Sequence, residues 1–421
     1  MSDLKYLNKT LHFPKLNLLD VASKHKTPFF IYSEDILTKN YHDFFQAALN
    51  HQLHQPLVCF AMKSNPNKEL IKILAKLGSG ADIVSGGELK RALEAGIPAN
   101  KIVFSGVGKT KEEILFALTV SKTGIYSFNV ESIEELELIN ECATKTKKTA
   151  RICFRLNPVV APKTHKYIST GNKTHKFGIL EEDILSAIKN KKLWTNSKLV
   201  GLSVHIGSQL LDLRATKRAV KKLCEVAVKI NLPLEFLDVG GGLGVDYHPD
   251  ESHKLPSLDH YMKLIAQTIK VNYPNDKNHR PRIVFEPGRR IVAKAGIFVM
   301  SVLRNKVSEN NHFLIVDGGM NDFMRPSLYG AYHGLIPVKE AKATKNCSVV
   351  GPICETSDCF GENRLLPPMK AGELLILKDT GAYGFSMGSN YNLRGRPLEL
   401  LVQKNKKIRV INKSQKYHEL L

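Results

Sequence analysis

Between residues 57 and 288, eight short apolar runs alternate with stretches of helical spacing. The runs are LVCFAM (57–62), ADIVS (81–85), KIVFSG (101–106), IYSFN (125–129), ICFRLN (152–157), GLSVHIG (201–207), FLDVGGG (236–242) and IVFEPG (283–288). Stretches such as KELIKILAKLG and ATKRAVKKLCEVAVKI repeat apolar residues every three or four positions, the period of a helix with one buried face. Strand–helix alternation calls for a parallel sheet, and eight is the strand number that closes a barrel. The helix count reaches eight only with SEDILTKNYHDFFQAALN, which precedes the first strand and opens on a Ser33 cap. A (β/α)8 TIM-type barrel is therefore predicted over residues 34–293. Beyond residue 294 the rhythm breaks. GIFVMSVLRNKV, HFLIVDGG, CSVVG, ELLILKD, LELLVQ and IRVIN are strand-like runs between turn residues, the pattern of a mostly antiparallel β-barrel or sandwich. FFIYS (29–33) is placed to add a strand to it, so residues 1–33 and 294–421 are expected to form one discontinuous domain.

The 421 residues are 43% hydrophobic and 24% charged, enough apolar material for a sizeable core. No run of about 18 apolar residues exists, so no membrane span is expected. The opening MSDLKYLNKTLHF lacks the apolar centre of a secretion signal. Seven cysteines without paired spacing, several inside apolar runs, suit free thiols and a cytoplasmic location. The net charge of +21 raises a nucleic-acid partner. Its lysines are spread along the whole chain, however, and the densest stretches lack interleaved aromatics, so no nucleic-acid partner is expected. Attraction of an anionic substrate or cofactor is the milder consequence.

Barrels of this kind carry their chemistry at the C-terminal ends of the strands. Those ends read Lys63, Asp82, Ser85, Ser105, Asn129, Asn157, His205, Ser208, Gly240 to Gly242, and Glu286 with Arg289. A lysine at a strand end is ordinarily a surface residue. Its one prominent enzymatic use there is a Schiff base, with a substrate carbonyl or with pyridoxal phosphate. VGGGLG (239–244) and EPGR (286–289) supply Gly-containing turns on neighbouring strands, where exposed backbone N–H groups suit a phosphate. Tight turns alone would explain the same glycines. Glu286 is placed to keep a pyridine nitrogen protonated, which makes the ring an electron sink. His205 offers a flat ring, although most such histidines are satisfied core residues. In the second domain, GPICETSD (351–358) sets a thiol beside acids, MRPSLY (324–329) pairs an arginine with a tyrosine, and GAYGFSM (381–387) lays a tyrosine in a Gly-rich loop.

Taken together, FAMKSNPN, ADIVSGGEL, HKYISTGNKTHKFGI, HIGSQ, DVGGGLG, EPGRRIV, DGGMNDFMRPSLYGAYH, GPICETSD and GAYGFSMGSNYN resemble the fold-type III pyridoxal-phosphate decarboxylases. The likeness runs from about Thr27 to Leu401. Within that family, YISTG…KFGI and RPSLYGAYH resemble the branch acting on meso-2,6-diaminopimelate. Ser64 and Thr356 depart from the commoner Ala and Ser, without touching a functional group. The resemblance implies an alanine-racemase-like fold and pyridoxal 5'-phosphate as cofactor. It implies Lys63 as the cofactor-binding lysine, with Asp82 beside it, His205 stacked on the ring and Glu286 at the pyridine nitrogen. Ser208, Gly241, Gly242, Pro287, Gly288, Arg289 and Tyr383 would hold the phosphate side. Arg289, Arg325, Tyr329, Glu355 and Tyr383 would bind substrate, and Cys354 would protonate the product. It further implies a homodimer whose Cys354 and Glu355 complete the partner's site, L-lysine and carbon dioxide as products, and no metal. A racemase would favour an arginine at the nitrogen and a tyrosine as second acid. A decarboxylase of another basic amino acid stays as an alternative, and a basic RNA-binding protein as the rival from outside enzymology.

Overall fold

The structure is a computed structural model that describes residues 4–160, 176–248, 255–274, 280–309 and 311–421. Residues 165–175 of the HKYISTGNKTHKFGI segment lie outside the described residues. The chain divides into two compact units. One comprises Tyr41–Val245 and His253–Arg290; the other comprises Met1–Asn40, Asp246–Ser252 and Ile291–Leu421. The division falls within the long helix Glu34–Asn50. No helix among the described residues is long and apolar enough to cross a membrane.

Strands β1 (Lys5–Leu7), β2 (Thr10–His12) and β3 (Phe29–Ser33) come first. Next come β4 (Leu57–Ala61), β5 (Gly80–Ile83), β6 (Ile102–Phe104), β7 (Ser127–Val130), β8 (Ala150–Arg155), β9 (Ser197–Ser203), β10 (Phe236–Asp238) and β11 (Arg282–Phe285). Among the described residues, these last eight pair in parallel, each with its neighbour and β11 with β4, into the closed barrel the alternation predicts. Each strand begins within two residues of its apolar run, except β9, which begins four residues earlier. The side-chain period of two then decides what fills the barrel. Leu57, Cys59, Val103, Phe236 and Val284 belong to one buried apolar cluster. Two residues further along the same strands stand Ser105, Asp238 and Glu286, all buried. An apolar plug thus underlies a layer of buried polar groups near the C-terminal strand ends. Phe285, of opposite parity, packs edge-on against Phe44 of the outer helix at 5.5 Å.

The second unit holds β12 (Gly296–Ser308), β13 (Asn311–Val316), β14 (Leu335–Pro337), β15 (Lys345–Val350), β16 (Cys359–Leu366), β17 (Leu374–Leu377), β18 (Leu398–Val402) and β19 (Ile408–Asn412). With β3 they form a nine-stranded, mostly antiparallel sheet. β3 lies inside it, antiparallel to β12 and parallel to β18. Its five residues are all buried, as a run flanked on both edges requires. β16, CFGENRLL, is not among the expected strands. Its glycine and charged residues leave most of its side chains partly or fully exposed, and pairing with β15 rather than apolar content makes it a strand.

Candidate active site

Lys63 follows β4 in a single 3-10 turn, Met62–Ser64. Ser64 Oγ closes that turn by donating to the Ala61 carbonyl at 2.7 Å, and Asn67 then caps helix Lys68–Lys76 through the Glu69 N–H. The cap explains why the chain turns away and leaves the lysine at the rim. Lys63 Nζ lies 3.5 Å from Asp82 Oδ2, the outer limit of a hydrogen bond. Asp82 is fully buried, and its Oδ1 has no hydrogen-bond partner among the described residues.

Three carboxyl groups, Asp82, Asp238 and Glu286, lie buried in the barrel. Burial, followed by repulsion from Asp238 and Asp82, pushes the Glu286 carboxyl well above its ordinary range. Burial also lifts Asp238 to about 6, and its Oδ1 accepts the Gly240 N–H at 2.8 Å. Glu286 Oε1 accepts from Asn129 Nδ2 at 3.1 Å and from Ser105 Oγ at 3.4 Å. The arrangement suits a cationic N–H donor, because a positive charge would relieve both the desolvation and the mutual repulsion.

His205 stands two residues beyond β9. The Gly241 N–H donates to its Nδ1 at 3.2 Å, so that nitrogen carries no proton. Burial, then the Lys63 and Arg155 charges, hold the imidazole pKa well below its usual value. Both observations describe a neutral ring, which can lie flat on an aromatic group without a charge to desolvate. Arg155 is itself fixed by Glu131 at 2.5 Å, and its guanidinium donates to the His205 carbonyl.

The glycine turn after β10 has no room for side chains. A Cβ on Gly240 would stand 2.3 Å from the Val204 carbonyl oxygen, and one on Gly241 2.1 Å from that of Glu286. Gly242 also has a φ of +99°, a conformation that glycine adopts without strain. Gly288, after Pro287, would place a Cβ 2.9 Å from Ser64. Across this turn Arg289 is buried, and its guanidinium donates to Ser208 Oγ at 3.1 Å.

In the other unit, Arg325 opens the short helix Arg325–Tyr329 and is buried. Its guanidinium lies 4.7 Å over the Tyr247 ring and 2.5 Å from His333 Nε2. His333 Nδ1 is 2.7 Å from the Lys378 carbonyl, so the proton sits on Nδ1 and Nε2 accepts from the arginine. Tyr329 is partly buried at the end of that helix. Cys354 and Glu355 are exposed in the GPICETSD loop. Asn392 Oδ1 accepts the Cys354 N–H at 2.8 Å, and the Tyr391 hydroxyl lies 3.4 Å from Glu355. Tyr383 takes a φ of +57° in its Gly-rich turn.

A family model for the pyridoxal binding domain of pyridoxal-dependent decarboxylases matches residues 42–293. The diaminopimelate decarboxylase of Zymomonas mobilis is 40% identical over 417 residues, covering 98% of this chain and 96% of that protein. That of Helicobacter pylori strain J99 is 41% identical over 412 residues, 96% of this chain and 97% of its own. This chain belongs to the diaminopimelate decarboxylase family. Among solved structures, the H. pylori diaminopimelate decarboxylase complexed with L-lysine superposes with a TM-score of 0.88 at 40% identity, covering 96% of this chain and 98% of that one. The M. jannaschii diaminopimelate decarboxylase gives 0.92 at 37% identity, covering 99% and 96%.

A diaminopimelate decarboxylase takes pyridoxal phosphate, and the barrel rim fits that group. Turns in which a Cβ cannot be accommodated present backbone to an anion beside Ser208 and Arg289. The carboxyl cluster and the unpartnered Asp82 Oδ1 invite hydrogen-bond donors, and Lys63 stands beside them. Ten of the predicted residues, Lys63, Asp82, His205, Ser208, Gly241, Gly242, Glu286, Pro287, Gly288 and Arg289, lie in the barrel unit. Arg325, Tyr329, Cys354, Glu355 and Tyr383 lie in the sheet unit. The sequence reading assigned no role to Asp238, Arg155 or Glu131. An acid two residues before a glycine turn, inside an otherwise apolar run, was the available signal for Asp238. Ser105 and Asn129 were legible as strand-end residues, but their bonds to Glu286 were not.

Proposed function

We propose that this protein decarboxylates meso-2,6-diaminopimelate to L-lysine and carbon dioxide, as a cytoplasmic homodimer with no nucleic-acid partner. The observation that carries the reading is the buried Asp82–Asp238–Glu286 cluster facing the barrel end that bears Lys63. Pyridoxal phosphate, when bound, supplies an electron sink conjugated to the substrate α-carbon. Lys63 would hold it through the aldehyde. Glu286, aligned by Asn129 and Ser105, would pair with its pyridine nitrogen and keep that nitrogen protonated. The neutral His205 ring would lie against it. The Gly241 and Gly242 turn, Gly288, Ser208 and Arg289 hold the phosphate, with Tyr383 on that side. Arg289 carries two expectations, phosphate and substrate, and its bonds to Ser208 favour the phosphate.

Arg325 and Tyr329 read a substrate carboxylate, and Glu355 takes the distal amine. Cys354 Sγ gives its proton to the α-carbon after carbon dioxide leaves. Cys354 and Glu355 serve the partner subunit's site. The presence of Arg325 favours a substrate with a second carboxylate over lysine, ornithine or arginine, because an arginine built to pair with that group would be left without it.

One experiment tests the assignment. The purified enzyme is reduced with borohydride, its peptides are mapped, and product formation is followed on meso-diaminopimelate, lysine, ornithine and arginine. The label is expected on Lys63, with turnover confined to meso-diaminopimelate. A label on another lysine removes Lys63 from its role. Equal efficiency on lysine would replace the substrate assignment.

A further inference from the structure

The opposite end of the barrel carries a second concave site, independent of the rim chemistry. An open cavity of about 600 Å³ lies among the N-terminal ends of the barrel strands. Six cationic side chains line it: Lys122 from the turn before β7, Lys147 and Lys148 from the turn before β8, Arg151 on β8, Lys198 on β9 and Arg282 on β11. The acid paired with this group is Glu235, whose carboxylate takes Arg151 at 2.6 Å and Lys198 at 2.8 Å. Among the described residues, six cations stand against this one paired carboxylate, a formal surplus of five positive charges on one concave wall.

These groups are not a random scatter of surface lysines. Arg151 Nε donates to the Tyr126 carbonyl at 2.8 Å, and its guanidinium lies over the Tyr126 ring at 5.7 Å. The Arg282 charge acts on the same tyrosine, opposing the upward push that burial gives its hydroxyl. Tyr126, 9% exposed, in turn packs on Phe236 of the apolar plug at 5.0 Å. Lys148 Nζ is tied to the Lys122 carbonyl at 2.8 Å. Arg151 is thus held by the barrel floor and Lys148 by the turn before β7, while Lys122 and Lys147 are exposed at the edge. Like charges held around a concavity repel, and they focus a positive potential into it. The volume falls within the range of small-molecule sites. A monovalent anion would engage only part of a ring that spans the approaches to four strands.

We propose that this cavity binds a small polyanion carrying three or more negative charges, such as a phosphate chain or a polycarboxylate. Arginine forks recognise such groups in two-pronged fashion, and lysines add point charges. Tyr126 is covered by Arg151, so the site offers no open ring for a base to stack on, and recognition rests on charge.

The test titrates the cofactor-loaded enzyme by calorimetry at physiological salt with tripolyphosphate, citrate and ATP. One site per chain is expected. The variant Lys122→Glu/Lys147→Asn should weaken binding by about tenfold or more, since binding to a basic site scales with the charges engaged. Lys147 has a φ of +53°, which asparagine tolerates. The matched control is Lys404→Glu/Lys406→Asn in the sheet unit, where Lys406 has a φ of +64°. It changes net charge equally and should leave the affinity unchanged. Circular dichroism melts verify that both variants fold. The preferred probe distinguishes a phosphate chain from a polycarboxylate, and equal binding of ATP and tripolyphosphate shows that the base is not read. No binding by any of the three probes, or equal weakening in both variants, overturns the proposal. So does tight binding of an RNA oligomer that the small anions cannot displace.

Discussion

At the barrel rim, Glu286 is 6% exposed and bonded to Asn129 and Ser105, with Asp238 and Asp82 nearby. In the 351–358 loop, Cys354 and Glu355 are exposed, and the backbone is what is held. Asp358, 3% exposed, accepts the N–H groups of Met320 and Ile353, each at 2.7 Å, and so pins the loop from beneath. The rim therefore positions its groups through side chains in a dry interior, where desolvation sets their proton affinity. The loop positions its thiol through backbone anchors and leaves the side chain outward. The rim has the features of a pre-arranged electrostatic site. An outward thiol has those of a group that finishes its environment against something else, here proposed to be the partner subunit.

The largest effect expected from that contrast is complementation. Lys63→Ala and Cys354→Ala enzymes should each be nearly inactive. In a mixed dimer with exchanged loops, one site collects both lesions and the other collects none. Random reassortment of equal amounts should restore roughly a quarter of wild-type activity, given independent sites and two-fold pairing. Verified subunit exchange without recovery on meso-diaminopimelate would break the proposed sharing and return Cys354 to its own chain's site, or show it dispensable.

A smaller effect isolates the rim. Glu286→Gln should retain the cofactor while turnover falls by about two to three orders of magnitude, the usual cost of removing one pre-arranged electrostatic group. The measurement compares kcat with the cofactor dissociation constant. A wild-type kcat would show that the buried acid is not paired with the ring nitrogen.

The smallest effect sharpens the account of desolvation. The folded-state pKa of Asp238, about 6, lies above its ordinary value of 3.8. The folded protein therefore favours the protonated acid, and its stability falls as pH rises through that window. The penalty is absent below the unfolded pKa of 3.8, about half present at pH 5 and fully present above pH 6. Asp238→Asn removes the ionisable group while its amide oxygen can still accept the Gly240 N–H, which lies 2.8 Å from the carboxylate. In the cofactor-free enzyme, the variant's melting temperature relative to wild type should be higher at pH 8 than at pH 5, by about a few degrees. An equal difference at both pH values would mean that Asp238 is not a desolvated acid.

The sequence by itself determined the barrel and which polar residues stand at its strand ends. Strand–helix alternation sets the parallel sheet, the period of two carries Leu57 and Cys59 inward on the way to Lys63, and the strand ends bring a layer of polar residues together above the apolar plug. Lys63, Glu286 and the Gly240–Gly242 turn were legible because their positions follow from local pattern alone. Only the tertiary structure decided which distant groups meet. Asn129 reaches Glu286 across 157 positions, and Arg289 reaches Ser208 across 81. His333 and Tyr247 converge on Arg325 from opposite sides of it in the chain. Barrel closure and sheet pairing set these meetings, and no local periodicity encodes them. Proton affinity belongs to the same class. A glutamate in the sequence is an ordinary acid, and it becomes the reluctant acid of Glu286 only when folding removes water and brings Asp238 and Asp82 beside it.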